Sequence, residues 1–492
     1  MRNVDLLALC LVFSFGSRAV AHPNPKQAQE PRISDPASRP VSSIFASTGT
    51  TSSASAAAAQ LPYVVFFAQD ATAEDISAVN STLNRDAAPN SLSEVTKSRT
   101  GLVVFFKATI SASQADAIRR APGVSGVFPD EIPEQEQPPT SDGQLSTSRD
   151  LSAPGPRGSF KRRITNPTDV SLQTDASKEL KVISQPPGAA LRKLPGYAYA
   201  SEGGKGVTIY IVDSGVDVEN PEWSRMPGSK SFIFSPGARH IENDPENHGT
   251  WVAAKAGGPV QGTAKNADMV AVKTPWNAGF SDIAGALIEI SNDVYEKNLE
   301  GKAVINMSIL HYDLFPGQDT IYKQLLVALM MEDIVIVAAA GNDARDKIKG
   351  KGIGHYPAVF GYSTNLIVVG AVTKWGFPTG YTQGLPHQVT VYAPGSVNCA
   401  SEKCRWFTRA LGTSFAAPSV AGVIAVWLSQ EQHKARLQVK GKVAKNNNIG
   451  GSLVVRWPTR LSGLLAYHVR YVYPRIINGP PVIWNGIDPR RT

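Results

Sequence analysis

Cysteine is scarce, with three in 492 residues. No second Cys/His pair stands at ligand spacing near Cys399 and Cys404, which argues against a zinc site. Beyond the N-terminus there is no apolar run approaching the ~20 residues a membrane helix needs. Charge of one sign is also short: Lys+Arg number 49 against 41 Asp+Glu, a net +8. That mild excess is not gathered into the basic stripe of a nucleic-acid-binding protein, so a solvated basic surface explains it. Internal repeats are absent.

What is present is ordinary globular material. Hydrophobic residues make up 42% and aromatics 8%, enough for a real core. The length suggests roughly two to four domains. At the N-terminus, Arg2 precedes the apolar run Leu6 to Phe15 and then Ala19-Val20-Ala21. This is the pattern of a cleaved secretory signal over residues 1–21, so the expected location is extracellular. Cys10 leaves with the signal. Cys399 and Cys404 remain, an even pair in an oxidising compartment, for which a small-loop disulfide and two free buried thiols are both open readings.

Composition divides the rest. Residues 22–60 are rich in Pro, Ser, Ala and Thr and read as a spacer. Residues 61–130 alternate strand-like and helical stretches: Tyr63 to Phe67, Ala73 to Leu83 behind a Thr72 cap, Leu102 to Phe106, Ser111 to Arg120 and Val124 to Phe128. They predict a small α+β unit with helices on one face of its sheet. Residues 131–190 turn polar and Pro-rich and read as a linker carrying Lys161-Arg162-Arg163, either a processing site or a solvated basic cluster. Residues 191–430 show buried strands (Val207 to Val212, Met269 to Val272, Ala303 to Met307, Ile334 to Ala340, Leu366 to Val372) and apolar helices (Ile283 to Ile290, Ala416 to Leu428). That alternation predicts an α/β domain with a parallel sheet covered on both faces. Residues 431–492 are a basic C-terminal extension with no readable role.

Four polar residues end or begin these elements. Asp213 follows a buried strand and precedes Ser214-Gly215, at the sheet edge where α/β folds place their sites. His248 lies in Asn247-His248-Gly249-Thr250, at a helix start. Asn342 follows Ala338-Ala339-Ala340-Gly341, where small residues leave room for a substrate backbone and the amide can donate to an oxyanion. Ser414 opens an apolar helix within Gly412-Thr413-Ser414-Phe415-Ala416-Ala417-Pro418, where backbone N–H groups favour negative charge. Singly, each has a plain structural use: a turn, a core histidine, a strand end, a helix cap.

In chain order, however, Asp-His-Asn-Ser in these contexts resembles the subtilisin family. Strand-Asp-Ser-Gly is matched at 213–215, His-Gly-Thr-x-Val-Ala at His248 to Ala253, Ala-Ala-Ala-Gly-Asn at 338–342 and Gly-Thr-Ser-x-Ala-x-Pro at Gly412 to Pro418. The likeness runs over about 200–430. Residues 61–130 are similar in pattern and position to the family's inhibitory pro-segment. The resemblance implies a subtilisin-like fold and a secreted serine endopeptidase made as a zymogen. It implies Asp213, His248 and Ser414 as triad, Asn342 as oxyanion donor, and substrate backbone along Ser308, Ile309, Ala340 and Gly341. Polypeptide substrates, inhibition by the chain's own pro-segment and a monomeric state are expected, with no nucleic-acid or membrane partner. No cofactor or metal is required for catalysis. Structural calcium is possible but not predicted, because the segment after His248 lacks the family's Asn-rich insertion.

The pattern departs from the family at Ala254, where a glycine is usual, and at Leu310 and His311, where two glycines are common. Bulky side chains there narrow or reshape the pocket for the residue before the cut. They also motivate an alternative, a catalytically impaired binding protein on the same fold. Asn306-Met307-Ser308 and Asn80-Ser81-Thr82 fit the N-glycosylation pattern, the first within a strand expected to be buried.

Overall fold

The computed structural model describes residues 59–130, 170–186, 189–311, 314–385, 387–399, 408–430, 482–487 and 489–490. The first of these segments begins with β1 (Gln60–Phe67), followed by α1 (Ala73–Asp86), β2 (Ser93–Lys97), β3 (Leu102–Ser111), α2 (Ala112–Ile118) and β4 (Val124–Pro129). The sheet order is β2-β3-β1-β4, with neighbours antiparallel. Both helices start on capping boxes, at Thr72 and Ser111, whose hydroxyls accept N–H groups of the first turn that would otherwise lack partners. The run Tyr63 to Phe67 is buried on both faces. Tyr63, Val65 and Phe67 pack beneath α1 and α2, and Val64 and Phe66 face the larger domain, the period-2 division of a strand.

Residues 170–200 hold β5 (Val170–Gln173), α3 (Lys178–Ile183) and β6 (Tyr197–Ala200), with β5 and β6 antiparallel. The reading of 131–190 as linker is therefore corrected at its C-terminal end. Ser177 caps α3 by accepting the Leu180 N–H. Leu180 and Ile183 enter the core of the large domain beside Tyr197.

From there the chain runs through β7 (Thr208–Asp213), α4 (Pro221–Ser224), β8 (Lys230–Phe234), α5 (His248–Gly257), β9 (Asp268–Lys273), α6 (Phe280–Glu296), β10 (Ala303–Met307), α7 (Gln318–Met331), β11 (Val335–Ala339), β12 (Ile367–Val372) and β13 (Val391–Pro394). A hairpin of β14 (Ser396–Cys399) and β15 (Thr408–Leu411) leads to α8 (Ala417–Ser429). The seven-stranded sheet has the order β13-β12-β11-β10-β7-β9-β8, all neighbours parallel. Alternate residues serve opposite faces. Ile209, Ile211, Met269, Ala271 and Val337 pack with α5 and α8, and Tyr210, Val212, Val270, Val272 and Ile336 pack with α6 and α7. After β9 the chain crosses to the far side of β7 to form β10. Their carboxyl ends flank the point where strand order reverses, which is where open α/β sheets bind ligands.

The 59–130 unit docks on α6 and α7. The rings of Phe66 and Phe280 lie 5.5 Å apart, Lys97 pairs with Glu332 at 2.6 Å, Asn292 Nδ2 donates to the Thr96 carbonyl at 2.9 Å and Ser281 Oγ donates to Asp130 at 2.7 Å. No helix among the described residues is long and apolar enough to cross a membrane.

The described end of the C-terminal extension belongs to the core. Val482 bridges Tyr392 of β13 in parallel, Ile483 is fully buried, and Asn485 Nδ2 donates to the Ala198 carbonyl at 2.7 Å. Ile483→Ala should therefore destabilise the protein by about 3 kcal/mol, a buried-aliphatic truncation. Urea unfolding reads this directly, and an unchanged midpoint would mean the segment does not hold the fold.

Candidate active site

Asp213 ends β7 with its carboxylate fully buried. Its Oδ1 accepts the Ser214 N–H at 2.8 Å and lies 2.8 Å from His248 Nδ1. His248 is the first residue of α5. The helix can come this close because residue 249 is glycine, where a Cβ would overlap the Gly215 carbonyl and press on Asp213. The imidazole is buried between the rings of Trp276 and Phe415, at 5.6 and 5.4 Å. Burial disfavours its charged form, but the Asp213 charge and hydrogen bond, with a further contribution from Asp244, hold its pKa above the ordinary histidine value. The result is a base that binds a proton more readily than free imidazole.

Ser414 precedes Phe415, so the ring lying against His248 belongs to its neighbour. It sits in the short turn Thr413–Phe415 leading into α8. Its hydroxyl donates to the Ser308 carbonyl at 3.3 Å, while Ser308 Oγ donates to the Ser414 carbonyl at 2.9 Å. In this rotamer the hydroxyl faces Ser308 rather than His248. Catalytic hydrogen bonds are commonly long or unformed without substrate.

Asn342 is held by its acceptor end. Oδ1 takes the Thr413 N–H at 2.8 Å and Thr413 Oγ1 at 3.1 Å. Because the backbone N–H can only donate, the amide orientation is fixed and Nδ2 is left to donate elsewhere. The Gly341 N–H donates to Thr413 Oγ1 at 3.0 Å, so Thr413 ties both strand-end residues to the serine turn. In the sequence Thr413 is marked only as part of the motif Gly412 to Pro418.

Ser308 and Ile309 continue from β10, and Ala340 and Gly341 from β11. The two departures from the family pattern take different places. Leu310 is half-buried. His311 is buried, bridges Tyr356 through paired backbone hydrogen bonds, and neither ring nitrogen has a partner among the described residues. Burial alone pushes it down to about 4, so the ring is neutral at physiological pH. A second histidine, His355, also buried, bonds Gln383 Oε1 through Nε2 at 2.9 Å. It lies against Gly341, whose φ of +103° and lack of a Cβ make the contact possible. Nothing in the sequence marks His355, since the contact forms only when the 353–357 loop folds back on Gly341, beyond the end of β11. Ala254 is buried within α5, and Asn306 is buried with its amide on Ser308 Oγ at 2.9 Å.

The proposed disulfide falls outside the described residues at Cys404, as do the side chain of Cys399 and the Lys161-Arg162-Arg163 cluster. Among the described residues, no group of three or more His, Cys, Asp or Glu side chains is placed to hold a metal ion.

Comparison with known proteins places the chain among similar folds and sequences. Subtilisin-like protease 10 of Arthroderma otae is 30% identical over 238 residues, covering 47% of this chain and 55% of that protein. Subtilisin-like protease 3 of Arthroderma benhamiae is 32% identical over 255 residues, covering 49% and 58%. The matched part thus spans little more than half the length of these relatives. The crystal structure of a serine-to-alanine mutant of the epidermin leader peptide processing serine protease of Staphylococcus aureus superposes with a TM-score of 0.52 at 14% identity, over 82% of this chain and 97% of that one, a likeness in fold. The model of the subtilase family matches residues 204–454, a span that includes every residue of the site above, and the chain belongs to that family.

Proposed function

We propose that this protein is a serine endopeptidase that cuts polypeptides through an acyl-enzyme, with Ser414 as nucleophile, His248 as general base and then general acid, and Asp213 as the partner of the imidazolium. The observation that carries the reading is the buried Asp213–His248 hydrogen bond of 2.8 Å, packed on the ring of the residue next to Ser414. A turn about the Ser414 Cα–Cβ bond moves its hydroxyl from the Ser308 carbonyl toward His248 Nε2. The base removes the proton as oxygen attacks the scissile carbonyl, and the charge developing on that carbonyl oxygen falls to Asn342 Nδ2 and the Ser414 N–H. His248 then protonates the leaving amine, and water releases the acyl group by the same steps in reverse. These side chains supply all the proton transfers.

Substrate backbone would lie between the Ser308–Ile309 and Ala340–Gly341 edges, with Leu310, His311 and His355 shaping the pocket beside them. Docking of the 59–130 unit on α6 and α7 supports a zymogen in which this unit restrains the cleft until the 131–169 segment is cut. Residues 1–21 direct export, and the protein acts as a monomer outside the cell.

A fluorophosphonate probe tests the reading. The secreted, processed protein should hydrolyse casein and carry the probe on the peptide containing Ser414. A well-folded product that does neither would point instead to a binding protein on the same fold.

A further inference from the structure

Behind the Asp213–His248 pair lies a second carboxylate. Asp244 is 6% exposed and sits in the loop before α5. That helix begins without a capping side chain: Asn247, at the cap position, has φ of +60° and makes no side-chain bond to the first turn. The N–H groups there still need acceptors. Asp244 Oδ2 accepts the Thr250 N–H at 2.8 Å and Thr250 Oγ1 at 2.7 Å. Ser214 Oγ accepts the Gly249 N–H at 3.0 Å. The two residues that cap the histidine's helix are thus the neighbour of Asp213 and a carboxylate bound to that neighbour.

Ser214 has one hydroxyl proton and two carboxylates within reach, Asp244 Oδ1 at 2.8 Å and Asp213 Oδ1 at 3.2 Å. The shorter contact takes the proton. Asp213 then keeps its charge for His248 rather than sharing it with the hydroxyl. Asp244 faces Asp213 on β7, His248 and Thr250 on α5, and Lys273 on β9. Lys273 Nζ is held by the Ile241 and Asn243 carbonyls at 2.9 Å, and Asp244 and Lys273 feel each other's charge.

We propose that Asp244, joined to Asp213 through the Ser214 hydroxyl, is a positioning residue of the Asp-His-Ser site: it fixes the start of α5 and orients the hydroxyl so that the Asp213 carboxylate is committed to the imidazole. The inference rests on the protease reading for its kinetic consequences but not for its geometry. Asp244→Asn is the discriminating change. Its amide oxygen still accepts from Thr250, so the helix stays capped. Its NH₂ donates to Ser214 Oγ, and the hydroxyl proton is driven onto Asp213. Both this and the lost charge weaken the pull on the imidazolium.

The test uses the full chain carrying Ser414→Ala, with and without Asp244→Asn, and follows the His248 ring nitrogens by NMR titration. The expected result is a transition displaced about half a pH unit toward acid. In the active protein, Asp244→Asn should move the acidic limb of kcat/KM the same way and lower kcat roughly tenfold with KM held within about twofold. Ser214→Ala, which frees the Gly249 N–H at the start of α5, should also lower kcat, and Ser214→Thr, which keeps the hydroxyl, should restore it. A lowered melting temperature with an unmoved His248 titration would overturn the proposal and leave Asp244 a helix cap only. So would a wild-type kcat in Ser214→Ala. A displaced titration in a protein that hydrolyses nothing would uphold the linkage while removing the protease reading.

Discussion

Ser414→Ala is expected to lower kcat by roughly 10⁶-fold while leaving the protein folded and uncut between the 59–130 unit and residue 170. The two halves of that result rest on different observations. In the proposed mechanism this hydroxyl attacks the carbonyl and forms the acyl-enzyme, so its loss removes the covalent route altogether. Structurally it contributes little: one hydrogen bond to the Ser308 carbonyl, at a long 3.3 Å. The reciprocal bond, from Ser308 Oγ to the residue 414 carbonyl at 2.9 Å, survives the substitution, as do both Asn342–Thr413 contacts. The melting temperature should therefore stay within a few degrees of wild type. N-terminal sequencing of the secreted variant reads the second half. A variant that still processes itself at the wild-type rate would place the nucleophile elsewhere.

The parts of this molecule that could be read from sequence are those whose burial leaves a local trace. β7, β10, β11 and β12 are covered on both faces and read as unbroken apolar runs. α5 and α8 are apolar around most of their circumference because both lie between the sheet and other elements. Elements with one partner at an edge leave no such trace. β2 is Ser-Glu-Val-Thr-Lys with only Val95 buried, and it is a strand because β3 supplies its hydrogen bonds. α3 hides in a polar window because its apolar face is short. Val482 and Ile483 sit in a tail rich in Pro and Arg, and pairing at the edge of β13 turns them into core.

The site divides along the same line. Asp213, His248, Asn342 and Ser414 stand at element ends whose motifs are contiguous in the chain. The contacts that orient them are not contiguous: Asp244 onto Ser214, Thr413 onto Asn342, and His355 against Gly341 all join separate loops. A histidine such as His311 or His355 carries no sequence mark to say whether it will be buried and neutral or exposed and charged. Burial decides, and burial is a property of the assembled fold.

Asp213→Asn should cost roughly 10³–10⁴-fold in kcat/KM, and the structure specifies by which route. One carboxylate oxygen, Oδ1, receives both the Ser214 N–H and His248 Nδ1, each at 2.8 Å, whereas Oδ2 is buried without a partner among the described residues. An amide placed here must present its oxygen to the Ser214 N–H, because an NH₂ facing that donor would leave it unpaired. The same oxygen then still accepts from Nδ1, so the imidazole keeps the tautomer that leaves Nε2 free to accept from Ser414. What is lost is charge. Opposite charges about 3–4 Å apart in a protein site interact by about 4–6 kcal/mol, which corresponds to the stated loss in rate. The direction of the pH effect follows. Burial lowers the His248 pKa and Asp213 more than compensates, so without that charge burial prevails and the ring titrates below its ordinary value. The acidic limb of kcat/KM should move toward lower pH, with a depressed plateau. If the amide instead turned its NH₂ to Nδ1, the proton would be fixed on Nε2 and the plateau would fall with no orderly displacement of the limb. A pH–rate profile of this one variant therefore separates loss of the imidazolium's partner from loss of the tautomer.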